Sequence, residues 1–157
     1  MSHIESTPIT GEASNKDASH PIGALNEFYH AFNHQNFTEM KSNWLQSSNA
    51  VMANPLGGIR RGWSEIEGVY QRIFDGKAKV YVEFYDYSIL EGDGFFQAIG
   101  KERGHADVDH EHLNLDIRTS RLFLLQGNRY KQIHHHGSIE NPQLLNQYQT
   151  SIKNTQG

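Results

Sequence analysis

KVYVEFYDYSIL at 79–90, EGDG at 91–94 and FFQAIGKERG at 95–104 form the stretch whose reading decides the fold. β-Branched and aromatic residues fill the first segment, a Gly-bearing acidic turn follows, and a second segment returns, which is the pattern of an antiparallel hairpin. The period of two persists downstream. A long strand is expected from about Val108 to Leu125, a tight turn at QGN 126–128, and a last strand at RYKQIHHHG from 129.

Upstream the period changes to that of helices. Pro21 suits a first helical position, and Ile22, Leu25, Phe28, Tyr29 and Phe32 recur at helical spacing up to about His34. Thr38 is placed to cap a second short helix bearing Met40, Trp44 and Leu45. Ala50 to Ala53 reads as a short strand, and NPLGGIRRG at 54–62, with its Pro and three Gly, as a sharp loop. Ser64 and Glu67 have capping-box spacing ahead of a third helix that carries Ile66, Val69, Tyr70, Ile73 and Phe74 and stops at Gly76. Helices followed by long antiparallel strands give an α+β class.

The 157 residues suffice for one domain core and not two. The polar opening, residues 1–20, is expected to be a disordered arm because it offers little apolar surface to offset the entropy of ordering. The domain is expected over 21–138, and 139–157 as a tail in which Asn141 and Pro142 could start a short helix. A net charge of -4 without a basic run argues against nucleic acid, and the absence of a long apolar stretch argues against a membrane span. The opening lacks the basic and apolar regions of a secretory signal, so the cytoplasm is the expected compartment. No cysteine is present, which leaves His, carboxylates and Tyr to carry any chemistry.

Two runs, VMANPLGGIRRGWSEI at 51–66 and SRLFLLQGNRYKQIHHHGS at 120–138, resemble the nuclear transport factor 2-like superfamily, which includes ketosteroid isomerase and the SnoaL-like proteins. The second run is also similar to the closing hairpin of the association domain of calcium/calmodulin-dependent kinase II. The resemblance implies a cystatin-like cone: a curved antiparallel sheet wrapped around the N-terminal helices, a pocket inside it, and pairing of two copies as a homodimer.

It also supplies positions to examine. Ketosteroid isomerase takes its base from an acidic-Pro-x-Gly segment; here that segment is Asn54-Pro55-Leu56-Gly57, and a carboxamide takes up no proton at neutral pH. Phe28 falls on the oxyanion-Tyr position when Phe32-Asn33 is aligned, and a shift of one residue puts Tyr29 there. No acid stands at Thr119 on the long strand, although a gap of two would bring Asp116 or Ile117 in. Steroid isomerisation is therefore not expected. In an enzymatic reading, a lyase, isomerase or hydrolase would draw on Tyr29, Asn54 and Asp116. Phe28, Trp63, Arg121, His134 and His136 are the candidate ligand-binding residues, with Trp63 read as core packing before it is read as a ligand platform.

Strand alternation places Leu113, Leu115, Ile117, Thr119, Arg121 and Phe123 on the inner face. Arg121 there would either bind an anionic organic ligand or pair with Glu83, Glu102 or Glu111. The pairs His110/His112 and His134/His136 have the spacing to present two imidazoles on one strand face, but a metal site also wants a converging carboxylate or third His and the sequence does not show the pairs meeting; they read equally as sheet-surface or dimer-face histidines, and no metal and no cofactor is assigned. The competing functional expectation is a non-catalytic association module with a residual pocket.

Overall fold

The computed structural model describes residues 4–5 and 7–154. In chain order the elements are β1 (Ile4–Glu5), α1 (Pro21–Asn33), α2 (Phe37–Asn43), β2 (Val51–Ala53), β3 (Arg60–Arg61), α3 (Trp63–Asp75), β4 (Lys79–Gly92), β5 (Phe95–Val108), β6 (Glu111–Gln126), β7 (Arg129–Ser138) and α4 (Pro142–Asn154). The strands form one sheet in the order β1-β4-β5-β6-β7-β2-β3. All pairings are antiparallel except β2 with β7. The α+β class and the curved, unclosed sheet wrapped around helices hold as expected.

Curvature comes from identifiable irregularities. The β4–β5 register shifts between Tyr85 and Ser88, where Asp86 takes φ 51, and the β6–β7 register shifts between Leu122 and Phe123. Bulges of this kind bend a strand and increase its twist. Gly104 lets β4 approach: a Cβ there would stand 1.8 Å from the Tyr81 carbonyl oxygen. On the concave face Val82, Phe84, Phe96, Ala98, Ile117 and Phe123 are buried against Leu25, Phe28 and Tyr29 of α1 and Ile66, Val69 and Tyr70 of α3.

Several local expectations are corrected. Asn36, not Thr38, caps α2, its side chain accepting from the Glu39 N–H at 3.0 Å. Gly62, at φ 84, stands at the N-cap of α3, so the helix begins before the Ser64–Glu67 spacing can act as a box. Glu65 instead accepts the Arg61 N–H at 2.9 Å. The boundary expected near Val108 shifts because β5 runs through Val108 and turns at Asp109, whose φ is 50. The four long strands are β4, β5, β6 and β7.

The arm expected over residues 1–20 is a packed strap over its described part from Thr7. Ile9 is buried and exchanges backbone hydrogen bonds with Phe84 at 2.8 and 2.9 Å, and the Ala18 carbonyl accepts from Tyr130 at 2.7 Å. Asn33 donates to the Thr10 and Val82 carbonyls at 3.0 and 2.8 Å, and Asn26 to that of Asn15 at 3.0 Å. The strap is held by side chains of α1 that meet its backbone polar groups, a source of order that polar composition conceals. The tail holds a 13-residue helix, α4, started by Asn141, which accepts from the Gln143 and Leu144 N–H groups. Its Tyr148 and Ile152 are buried.

Candidate functional site

The cone encloses a cavity of about 50 Å³. Phe28, Phe32, Met52, Val69, Ile73, Val82 and Ile117 supply most of its apolar wall, and Asn54, Tyr70, Glu102, Arg121, His135 and Tyr148 its polar groups. That volume holds roughly three waters, well under the ~300 Å³ typical of small-molecule sites. Tyr148 of α4 and Leu56 of the 54–58 loop both stand in the wall, and Gln149 ties the two segments by donating to the Leu56 carbonyl at 3.2 Å. A wider groove of about 700 Å³ lies along α3 beside Arg60, Glu65, Arg72 and Asp75. It is shallow and lined by solvated charges, so the cone cavity is the better candidate.

A buried polar cluster forms the deep wall. Arg121 donates through Nη2 to Glu102 at 2.9 Å, through Nη1 to Gln132 at 2.8 Å and through Nε to Tyr29 at 3.4 Å. Tyr29 donates its hydroxyl proton to the same Glu102 oxygen at 2.5 Å. The guanidinium lies over the Phe28 ring, 3.7 Å from its centroid. Beyond Gln132 the chain of contacts runs through Asn43 at 3.2 Å to Glu27 at 2.9 Å. Of the alternatives for Arg121, the ion pair with Glu102 is the one realised. Burial works against the Arg121 charge, yet Tyr29 and Glu102 hold its pKa above the ordinary value. Burial, with Glu102 beside it, pushes the Tyr29 hydroxyl well up. Burial likewise raises Tyr70 to about 12 and, again with Glu102, raises Tyr148. These phenols are donors at neutral pH.

His135 also faces the cavity. Burial first, then the neighbouring Arg121 charge, depress its pKa well below 6.5, so the ring is neutral. Its Nδ1 lies 3.3 Å from the Ser120 carbonyl, and the Nδ1–H tautomer makes that contact a donated bond. This leaves Nε2 as the acceptor.

Of the sequence candidates, Phe28, Asn54 and Arg121 line the cavity, and Tyr29 joins it through the polar cluster. The other four do not. Asp116 is exposed on the outer sheet face, across the ladder from Arg103. Trp63 packs instead against Phe37 and Trp44, each at a ring separation of 6.4 Å. His134 faces away and meets the Val51 carbonyl at 3.0 Å, and His136 is exposed. The cause is the bulge in β7: Phe123 pairs with Gln132 but Leu122 pairs with His134, so Ile133 is inserted and the facing alternation restarts. Tyr130 and Gln132 face inward before the bulge, His135 and Gly137 after it.

Glu102 was legible beyond its role as one of three partners for Arg121, since Phe96, Ala98 and Glu102 share a phase on β5. Tyr148 was hidden by its position in the tail. Asn54 is engaged locally, its carbonyl oxygen accepting the Leu56 N–H at 2.8 Å.

A sequence profile of the SnoaL-like domain matches residues 23–142. The chain belongs to the SnoaL-like family. Solved structures described as nuclear transport factor 2-like and cystatin-like share its fold. A protein from Streptomyces avermitilis, described as a proposed dehydratase of the nuclear transport factor 2-like family, superposes with a TM-score of 0.68 at 15% identity, covering 75% of this chain and 93% of that one. An uncharacterised Caulobacter vibrioides protein with a cystatin-like fold gives 0.63 at 16% identity, over 86% and 96%. A Thiobacillus denitrificans protein described as a proposed calcium/calmodulin-dependent kinase II association domain gives 0.63 at 16% identity, over 77% and 95%. No curated protein sequence matches significantly. No helix among the described residues of this SnoaL-like chain is long and apolar enough to cross a membrane.

Proposed function

We propose that this SnoaL-like protein binds a small, largely apolar, uncharged organic molecule inside the cone. The observation that carries the reading is the convergence of Arg121, Glu102, Tyr70, Tyr148 and neutral His135 on one enclosed apolar cavity. A carboxylate ligand would compete with Glu102 for the guanidinium, so the internal ion pair disfavours an anion. A ligand oxygen can instead accept from Arg121 or a tyrosine while its carbon skeleton replaces the α4 side chains at the mouth. If the bound molecule reacts, His135 Nε2 is the base and a tyrosine hydroxyl the acid of a lyase or isomerase step. Asn54 cannot serve as the steroid isomerase base.

The test is a thermal-shift and calorimetric screen of neutral ketones, alcohols and lactones against matched carboxylates, using the wild type and the cavity-filling variant Ile117→Trp. Stabilisation by neutral compounds, absent in the folded variant, is the expected result. Preference for carboxylates, or silence across the panel, would overturn it. A second reading is homodimeric assembly in the cytoplasm through the outer sheet face. Leu90 and Ile99 favour it, remaining 54% and 49% exposed on the β4–β5 hairpin. Light scattering of wild type and Ile99→Glu decides whether that face joins two copies.

A further inference from the structure

We propose that His105, Asp107 and His112, on the outer face of the β5–β6 hairpin, form a binding site for a divalent transition-metal cation of the zinc class. The three residues do not belong to the cone: they stand on the opposite side of the sheet from the cavity. The ladder assembles them. Asp107 is directly across from His112, and His105 across from Asn114, so all four share one face. The ligating atoms of His105, Asp107 and His112 lie within 4.8 Å of one another. A tetrahedral zinc with bonds of about 2.0–2.1 Å needs its ligands about 3.3 Å apart, a closure that side-chain rotation on a fixed hairpin can provide.

The hydrogen bonding points to a cation rather than to a self-sufficient cluster. His105 Nδ1 is shielded from solvent and has no hydrogen-bond partner, although Asp107 Oδ2 is only 2.9 Å away. His112 Nε2 lies 3.0 Å from the Asn114 carboxamide oxygen, and the Nε2–H tautomer makes that contact a donated bond. That bond leaves the Nδ1 lone pair of a neutral His112 turned toward Asp107 Oδ1, 2.5 Å away. Two imidazole nitrogens and a carboxylate therefore crowd one point, where their lone pairs can converge on a cation. One metal ion satisfies all three at once. Asn114 then plays the orienting part that a hydrogen-bond acceptor behind a ligating imidazole commonly plays. The ring stack of Tyr81 on His105, with centroids 5.5 Å apart, holds the second imidazole in place. Two nitrogens and one carboxylate oxygen form a donor set suited to zinc and its first-row neighbours, and poorly suited to calcium or magnesium.

The experiment uses the full-length, tag-free chain after chelation. Equilibrium dialysis with zinc, read by elemental analysis, should give one ion per chain. Cobalt should produce paramagnetically shifted imidazole proton signals from two histidines. His105→Gln and His112→Gln should each weaken binding at least about tenfold, whereas the double variant His134→Gln/His136→Gln should bind as wild type. Absence of bound zinc, cobalt signals from other histidines, or unchanged affinity in both hairpin variants would overturn the proposal. The cobalt spectrum of the wild type decides the matter even if a variant fails to fold. Charged imidazolium partners alone would appear as the first of these negative results.

Discussion

Tyr29 on α1 donates to Glu102 on β5 at 2.5 Å, and Arg121 on β6 donates to the same carboxylate oxygen at 2.9 Å. One carboxylate oxygen thus ties the first helix to two central strands in a region where all three side chains are buried. Truncating one partner leaves the other charge without compensation, which is costlier than removing both. Arg121→Met is expected to destabilise the fold by about 3–5 kcal/mol. The double variant Arg121→Met/Glu102→Leu should lose less than Arg121→Met alone. Urea unfolding of both variants and of Glu102→Leu checks this; a double-variant loss equal to the sum of the two single losses would show that the pair is not coupled.

Asn36 caps α2 with a side-chain bond to the Glu39 N–H, whereas Thr38 and Ser64 are exposed and make no cap. Asn36→Ala should cost about 1 kcal/mol, and Thr38→Ala or Ser64→Ala less than about 0.5 kcal/mol. Thermal melts of the three variants separate the observed caps from those that spacing alone suggests.

What was legible in the sequence follows from this contrast. Alternation along β6 put Ile117, Thr119, Arg121 and Phe123 on the buried face, and they are there. Alternation along β7 failed at Ile133, because a bulge adds a residue without any Gly or Pro to mark it, and it exchanged His135 for His134 and His136 as the inward histidine. The strap was missed for a related reason. Ile9 is its one large buried apolar residue, and the rest is ordered by Asn26 and Asn33 reaching from a helix distant in sequence. Asp116 was suggested through a family alignment, and the pleat sends it outward.

Tyr148 fills part of the cone from α4, a helix near the chain's end, and its removal tests whether α4 limits the cavity. Tyr148→Ala should lower stability by about 3 kcal/mol, as expected when a buried aromatic is truncated. It should also open a space large enough for a small apolar probe. Xenon or benzene should stabilise this variant and occupy the cone in its crystal structure, while the wild type should remain unaffected. Collapse of Leu56 into the space, with no bound probe, would show that the 54–58 loop sets the volume.

His135 makes stability depend on pH in a defined direction. Burial holds its folded pKa well below the value of 6.5 that the unfolded chain restores. Between the two values the unfolded chain binds a proton that the folded one refuses, so stability must rise with pH across that window. The contribution is complete above about pH 6.5 and is lost as the pH falls toward the folded value, by at most about 1.4 kcal/mol per pH unit for one group. His135→Leu removes the titration but keeps an apolar side chain in the cavity wall, across the ladder from Arg121. Wild type should therefore lose more stability than His135→Leu between pH 7 and pH 5, as read by urea unfolding at each pH. The cost of losing the Ser120 contact is the same at both pH values, so only the difference in slope reports on the imidazole. Parallel slopes would mean that His135 accepts a proton in the folded chain, and the neutral base invoked for the cavity would be lost with it.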